Sequence, residues 1–290
     1  MRKIEKRSIF CLILAALLGL GLAFFCFQFV VDGGDWASYP YNRHLYNNAG
    51  QLKGGTILDR DGDMLSTLDE DGNRIYNDDA TVRRATLHAV GDKNGNIGAG
   101  ALTSFADKLS GYNLLTGVYS PLGTGNSLYL TIDAYLNNVA YQALNGMNGT
   151  VGVYNYKTGE ILCMVSTPTF DPANPPDIAA DDPAWDGVYV NRLLSANSIP
   201  GSIFKVVTIN AAIENIPDLF QRKWTCTGSV NIGGEEVTCP HAHGEQDIEE
   251  ALANSCNGVF GQLAVELGGE TMQKYADAAG LTKSIKVDGI

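Results

Sequence analysis

The chain has 290 residues, of which 45% are hydrophobic and 18% are charged. This composition is typical of a globular protein and excludes a disordered one, and the length allows about two domains with their own cores. The formal net charge of -12, with no basic patch after the first seven residues, argues against nucleic acid as a partner.

The N-terminus has the pattern of a membrane anchor. Residues 1–7 are short and basic, and no charged residue occurs from Ile9 to Phe27. About 20 apolar residues cross a bilayer as a helix, and basic residues before the span keep the N-terminus inside. We predict a cytoplasmic tail over residues 1–7 and an uncleaved, single-pass anchor over residues 8–31, with the remaining chain outside. A cleaved signal peptide is the alternative, but no clean A-x-A site follows.

The next segments predict a linker and then β-hairpins. Residues 32–53 are rich in Gly, Asn and Tyr, which indicates a linker. Gly54–Ser66 reads as strand, D-R-D-G turn and strand, and acidic-glycine turn chemistry recurs from Leu68 to Tyr76. We interpret the aspartates as turn residues, because no closing glutamate gives them the spacing of a calcium loop. A helix is predicted from Ala101 to Leu109.

Strands and helices alternate further along the chain. An alternating strand over Ser127–Asp133 leads into a helix over Ala134–Leu144, which the aspartate at its start can cap. Two strands follow, over Thr150–Tyr154 and Ile161–Val165. The Pro- and Asp-rich segment Thr167–Ala184 predicts a surface loop.

A candidate nucleophile follows a turn at Pro200 and Gly201. Ser202 begins a predicted helix and Lys205 comes three residues later, so both side chains lie on one face. A serine needs a neighbouring base to become a nucleophile, and the N–H groups of a helix N-terminus suit a developing oxyanion. This is the S-x-x-K arrangement. The motif is short, and a capping serine with a solvated lysine is the alternative reading.

Cysteines and histidines cluster in sequence beyond this motif. Cys226 and Cys239 flank a predicted hairpin over Val230–Val237, and His241 and His243 follow at once. A disulfide pinning the hairpin is one interpretation, because disulfides form outside the membrane. Zinc bound by these two cysteines and two histidines is another, although the spacing is not the usual one. Free thiols are the third.

Five stretches of the chain match motifs of one known family, in that family's order. They are Gly54–Ser66, Ser127–Leu144, Gly149–Asp171, the S-x-x-K motif at Pro200–Lys205, and the S-x-N motif at Ser255–Asn257. The chain thereby resembles the class B penicillin-binding proteins, which are membrane-anchored peptidoglycan transpeptidases.

The resemblance implies a role for each matched residue. Ser202 would be the acylated nucleophile and Lys205 the base that activates it. Ser255 would relay protons to the leaving amine, and Asn257 would bind the substrate's amide. The implied substrate is a peptidoglycan stem peptide ending in D-Ala-D-Ala, with β-lactams as inhibitors and no cofactor.

The resemblance also implies the architecture and partners. A β-rich pedestal module would occupy residues 54–125. A transpeptidase domain of α+β class, an antiparallel sheet with helices, would occupy residues 126–290. A separate glycosyltransferase would be the partner at the membrane.

Two departures from the family pattern matter. Its third motif, K-[ST]-G, should follow the S-x-N motif, but here Lys157-Thr158-Gly159 precedes the nucleophile and reads as a hairpin turn. We therefore expect a C-terminally truncated chain that does not turn over. Gly55 stands where the family usually has arginine, which puts a local salt bridge in doubt.

Two other classes of function remain open. One is a catalytically silent or β-lactam-sensing scaffold of a cell-wall synthesis complex. The other is a D,D-carboxypeptidase or β-lactamase of the same superfamily. Stable acylation points to a transpeptidase or sensor, whereas rapid deacylation points to a lactamase.

Overall fold

The computed structural model describes residues 2–37, 39, 41–48, 50, 52–111, 113, 115, 117, 125–179 and 181–288. The chain divides into two compact units, Met1–Asn197 with Asp288–Ile290, and Ser198–Val287. Parts of the predicted linker, and residues 118–124 at the end of the predicted pedestal, lie outside the described residues.

The first unit begins with the long apolar helix α1 (Arg2–Ala37). Its segment Arg7–Ala37 has 31 residues and contains an 18-residue window with a mean hydropathy of 2.8 and no buried residue, so it is long and apolar enough to cross a membrane. The predicted anchor over residues 8–31 lies within this helix. The helix extends beyond the prediction through residues 32–37, which contain no proline to end it.

A four-stranded sheet follows, in the order β3-β2-β1-β4. Its strands are β1 (Thr56–Leu58), β2 (Met64–Leu68), β3 (Arg74–Tyr76) and β4 (Ser127–Tyr129). β1 pairs antiparallel with β2, and β2 pairs antiparallel with β3, which confirms both predicted hairpins. β4 pairs with β1 in parallel. Leu45 and Leu52, from the predicted linker, are buried in the core that this sheet covers.

Gly55 is required by a close approach of two backbone segments. A Cβ atom there would lie 1.4 Å from the carbonyl oxygen of Asn126. The guanidinium of Arg74 is buried beside this point and donates hydrogen bonds to the carbonyl oxygens of Gly54 and Gly55, at 2.7 and 2.9 Å. The arginine that the resembled family carries at this position therefore does not fit this backbone.

The helices of the first unit differ from the prediction in two places. Helix α2 (Ala80–Val90) was not predicted, although Asp79 caps it by accepting a hydrogen bond from the backbone of Thr81. The single helix predicted from Ala101 to Leu109 is wrong. Phe105, with φ -115° and ψ 27°, separates α3 (Ala101–Ser104) from α4 (Ala106–Ser110).

The region after β4 confirms the predicted helix and hairpin. Helix α5 (Ala134–Leu144) begins after Asp133, whose side chain accepts from the backbone of Leu136. The strands β5 (Gly149–Tyr154) and β6 (Ile161–Thr167) pair antiparallel. The sequence Lys157-Thr158-Gly159 lies in the turn between them, as predicted, and is exposed.

The segment after β6 is only partly a surface loop. Phe170 and Asp171 are buried, which corrects the prediction for Thr167–Ala184. The guanidinium of Arg83, on α2, binds both carboxylate oxygens of Asp171 at 2.6 and 2.7 Å, and lowers the pKa of Asp171 to about 2. This ion pair fixes the loop to α2. The short helix α6 (Arg192–Ser195) follows.

The second unit combines three helices and two small antiparallel sheets. The helices are α7 (Lys205–Asn215), α8 (Ile248–Ala253) and α9 (Asn257–Ala278). The strands are β7 (Trp224–Cys226), β8 (Ser229–Ile232), β9 (Glu235–Thr238) and β10 (Gly244–Gln246), with β7 paired to β10 and β8 to β9. The predicted hairpin with a Gly233-Gly234 turn is thus confirmed, and so is the α+β class.

Candidate active site

Ser202 lies in a single 3-10 turn, Gly201–Phe204, that runs directly into α7. Gly201 has a φ of +57°, a conformation that glycine adopts without strain. The turn leaves Ser202 exposed, while Lys205, the first residue of α7, is buried. The Nζ atom of Lys205 donates to the Oγ atom of Ser202 at 3.0 Å. The contact predicted from the three-residue spacing is therefore present.

Ser255 and Asn257 come from the tight turn between α8 and α9. A capping box of Asp247 and Glu250 fixes the start of α8. Ser255 has a φ of +51°, which is rare for a residue with a side chain and costs of the order of 1 kcal/mol or more. Such a conformation persists only where neighbouring contacts hold it, and it turns the serine toward α7.

The side chains of both motifs converge on the Lys205 amine. Its Nζ atom lies 2.9 Å from the Oγ atom and 2.9 Å from the carbonyl oxygen of Ser255, and 2.7 Å from the Oδ1 atom of Asn257. The hydroxyl of Ser255 also donates to the Oγ atom of Ser202 at 2.8 Å. The structure thus brings together all four residues that the sequence singled out as catalytic.

The surroundings of Lys205 favour its neutral form. Burial lowers the pKa of its amine, and the nearby thiols of Cys239 and Cys256 oppose this shift. All four oxygen atoms that it contacts are uncharged, so none supplies the full negative charge that would offset desolvation. A neutral amine beside a serine hydroxyl can accept that hydroxyl's proton.

Asn257 connects this cluster to β9. Its Nδ2 atom donates to the carbonyl oxygen of Thr238, the last residue of β9, at 2.8 Å, while its Oδ1 atom faces Lys205. The side-chain amide is held at both ends. The position of Asn257 therefore depends on where the end of β9 lies.

A second cluster lies beside the first and is made of thiols and an imidazole. One candidate ligand atom from each of Cys226, Cys239, His243 and Cys256 lies within 4.8 Å of the others. His241 is not a member, and instead its ring stacks edge-on against His243, with centroids 4.6 Å apart. Cys226 and Cys239 are free thiols in this structure.

The sequence therefore identified three of these four residues and missed Cys256. One signal could have identified Cys256. It stands between Ser255 and Asn257 of the S-x-N motif, so its thiol must lie close to the candidate catalytic residues. The spacing C-x3-H from Cys239 to His243 was another signal. A hydrogen bond from the backbone N–H of His243 lowers the pKa of Cys226 to about 6, whereas burial raises that of Cys256.

The chain is similar to known proteins across this site. Residues 149–289 match the penicillin-binding protein transpeptidase domain. The stage V sporulation protein D of Bacillus subtilis is 34% identical over 182 residues, which are 59% of this chain and 27% of that protein. The peptidoglycan D,D-transpeptidase PbpA of Mycolicibacterium smegmatis is 30% identical over 178 residues, 54% of this chain and 36% of that protein. The matched regions thus span about a third of the curated relatives' length.

Solved structures show the same fold. The D,D-transpeptidase domain of a peptidoglycan glycosyltransferase from Eggerthella lenta aligns with a TM-score of 0.63 and 29% identity, over 81% of this chain and 55% of that one. Penicillin-binding protein 2 of Pseudomonas aeruginosa aligns with a TM-score of 0.62 and 21% identity, over 82% and 57%. The second likeness concerns the fold alone.

Proposed function

Since this chain belongs to the penicillin-binding protein transpeptidase family over residues 149–289, we propose that it supplies the nucleophile, Ser202, of a class B peptidoglycan D,D-transpeptidase. The observation that carries this proposal is the convergence of the Lys205 amine on the hydroxyls of Ser202 and Ser255, at 3.0 and 2.9 Å. A buried amine between two hydroxyls is the arrangement that serine acylation requires.

Acylation begins when Ser202 attacks the carbonyl carbon of the bond between the two terminal D-alanines. The Oγ proton passes to the neutral Lys205 amine, and negative charge develops on the carbonyl oxygen. The backbone N–H of Ser202 lies in the first turn that leads into α7, where it is suited to stabilise that charge.

Collapse of the tetrahedral intermediate releases the terminal D-alanine. The leaving nitrogen takes a proton through the Ser255 hydroxyl, which lies 2.8 Å from the Ser202 oxygen and 2.9 Å from Lys205. The amine of a second stem peptide then attacks the acyl-serine, forms the cross-link and restores the Ser202 hydroxyl. Asn257, held between Lys205 and β9, orients the substrate's amide.

The substrate and partners follow from the same proposal. The stem peptide ends in D-Ala-D-Ala, and a β-lactam acylates Ser202 in its place, as the names of the relatives support. Helix α1 anchors the protein by a single pass, with the N-terminus inside and the catalytic residues outside, where peptidoglycan lies. A glycosyltransferase supplies the glycan strands to be cross-linked.

Mass spectrometry after incubation with a penicillin tests the proposal. The complete gene product, extracted in detergent, should carry a stable penicilloyl adduct on the peptide containing Ser202. The Ser202→Ala variant should carry none. Ser195→Ala, which changes another serine of the chain, is the matched control and should keep the adduct.

The other outcomes identify the alternatives. An adduct that hydrolyses within seconds would mean a β-lactamase, and release of D-alanine without cross-linking would mean a carboxypeptidase. Stable acylation without transfer to an amine acceptor would mean a sensor. If the penicillin forms no adduct, the transpeptidase proposal fails and a silent scaffold takes its place.

A further inference from the structure

We propose that Cys226, Cys239, His243 and Cys256 bind one zinc ion that holds the S-x-N turn in its active position. Their ligand atoms lie within 4.8 Å of one another, although the residues are up to 30 positions apart in sequence. Three thiolates and one imidazole are a donor set of structural zinc sites, which are closed by four protein ligands.

The spacing of the sulfur atoms fits a metal rather than a covalent bond. The Sγ atoms of Cys239 and Cys256 are 3.8 Å apart. A tetrahedron with Zn–S bonds of about 2.3 Å has an edge of about 3.8 Å, whereas a disulfide bond measures about 2.05 Å. The cluster also contains a third thiol, that of Cys226. A disulfide joins only two thiols and would leave the third one unpaired, whereas a zinc ion can bind all three.

His243 provides an independent observation. Its Nδ1 atom is buried and has no hydrogen-bond partner among the described residues. A buried imidazole nitrogen without a partner is costly, and a metal ion bound at that nitrogen would supply the missing partner by accepting its lone pair. The edge-on ring of His241 packs against the imidazole and limits its rotation.

The local fold presents the ligands from two strand pairs and one helix. Cys226 ends β7 opposite Gly244 of β10, so His243, the neighbour of Gly244, lies beside it. Cys239 follows β9 and its backbone N–H is fixed by the carbonyl oxygen of Gly228. Cys256 is fully buried at the start of α9. One ion bound here would fasten both strand pairs to that helix.

Two of the ligands are direct neighbours of residues in the active-site cluster. Cys256 stands between Ser255 and Asn257. Cys239 follows Thr238, whose carbonyl oxygen accepts the hydrogen bond from Asn257. Metal binding therefore positions both Ser255 and Asn257. The effect of this positioning on catalysis rests on the proposed function, whereas the binding of zinc does not.

Metal content is the first test. The complete protein, purified in detergent with a reductant and without a polyhistidine tag, should contain about one zinc ion per chain by inductively coupled plasma mass spectrometry. The variants Cys239→Ser and His243→Gln should lose it, and Cys26→Ala, a cysteine of α1 outside the cluster, should keep it. Cobalt(II) exchanged into the protein should give the intense visible bands of a tetrahedral thiolate site.

Acylation is the second test and separates the two proposals. Removal of zinc should slow acylation of Ser202 by about 100-fold, because a small misplacement of catalytic groups has effects of that size. Added zinc, but not magnesium, should restore the rate. If the protein binds zinc but forms no penicilloyl adduct, the proposed function fails and the metal site stands.

Two results would overturn the metal site itself. One is protein without bound zinc that also gives no cobalt spectrum. The other is an intact mass lower by two hydrogens with peptides of Cys239 and Cys256 joined, which would show a disulfide instead.

Discussion

Lys205 has more partners than one charged amine can satisfy. An ammonium group has three N–H donors, but four oxygen atoms lie within 3.0 Å of its Nζ atom. A neutral amine instead has two donors and one lone pair, which can accept the proton of a hydroxyl such as that of Ser202. Either form engages at most three of the four oxygen atoms at a time, and the pH decides which form is populated.

The acylation rate should therefore depend on pH through Lys205. Burial lowers the pKa of this amine below its ordinary value of 10.5, so the reactive neutral form becomes populated at lower pH than in a solvated lysine. We expect the rate constant for acylation by a penicillin to rise with pH and to level off above a midpoint lower than 10.5.

Lys205→Met supplies the comparison for this measurement. It should lower the rate by about 10²- to 10⁴-fold, the range typical of a lost general base, and should remove the pH dependence. A wild-type profile that is flat, or whose midpoint lies above that of a free lysine, would contradict a role for Lys205 as the base. Stopped-flow fluorescence with a reporter β-lactam measures both.

At the scale of elements, one buried polar side chain links α5 to β6 by hydrogen bonds. The Nδ2 atom of Asn137 donates to the carbonyl oxygen of Asp133 at 2.7 Å, and its Oδ1 atom accepts from the backbone N–H of Met164 at 3.0 Å. Asn137 is 0% exposed, so water cannot replace these hydrogen bonds. These hydrogen bonds add to the apolar cluster that Ala140 of the helix forms with Cys163 and Val165 of the strand.

Asn137→Ala should destabilise the first unit by about 1–3 kcal/mol, because the backbone N–H of Met164 would be buried without an acceptor. The neighbouring Asn138→Ala is the matched control, since the side chain of Asn138 accepts a hydrogen bond from Gln142 within α5 itself. Denaturant unfolding followed by circular dichroism compares the two. Equal stability of both variants would contradict this role, because it would show that the hydrogen bond from Met164 to Asn137 does not contribute; helix propensity alone would favour alanine at either position.

At the scale of the whole molecule, charge and hydropathy divide the chain into a basic N-terminus, one helix that could cross a membrane, and the remaining residues. The candidate membrane span Arg7–Ala37 of α1 has 31 residues, or roughly 46 Å at 1.5 Å per residue, which exceeds the roughly 30 Å of a bilayer core. All the candidate catalytic and metal-binding residues come after it in sequence. Their compartment is therefore set by the orientation of this one helix.

The basic N-terminus should stay in the cytoplasm. We expect alkaline phosphatase fused to the C-terminal end of the chain to be active, because that enzyme folds only outside the cytoplasm. The same fusion to a variant with Arg2, Lys3, Lys6 and Arg7 changed to glutamate should lose activity, since the charge bias would no longer favour this orientation. An inactive fusion on the unchanged chain would overturn the assignment.

Local sequence determined the elements whose signals lie within a few residues. The apolar run gave α1, the aspartate before Ala134 gave the start of α5, and the spacing of Ser202 and Lys205 gave their contact. The burial of Phe170 could not be read in this way, because it results from packing against Leu87 and Val188, which are distant in sequence. The break at Phe105 has no local sequence signal such as proline or glycine.

The tertiary structure alone decided which residues share a site. The S-x-x-K and S-x-N motifs are about 50 residues apart, and only the packing of α7 against α9 brings Ser255 to Lys205. The same packing buries Cys256 beside Cys239, while the pairing of β7 with β10 selects His243 over His241. Sequence spacing specifies contacts along one helix or hairpin, whereas contacts between elements depend on how their apolar faces pack together.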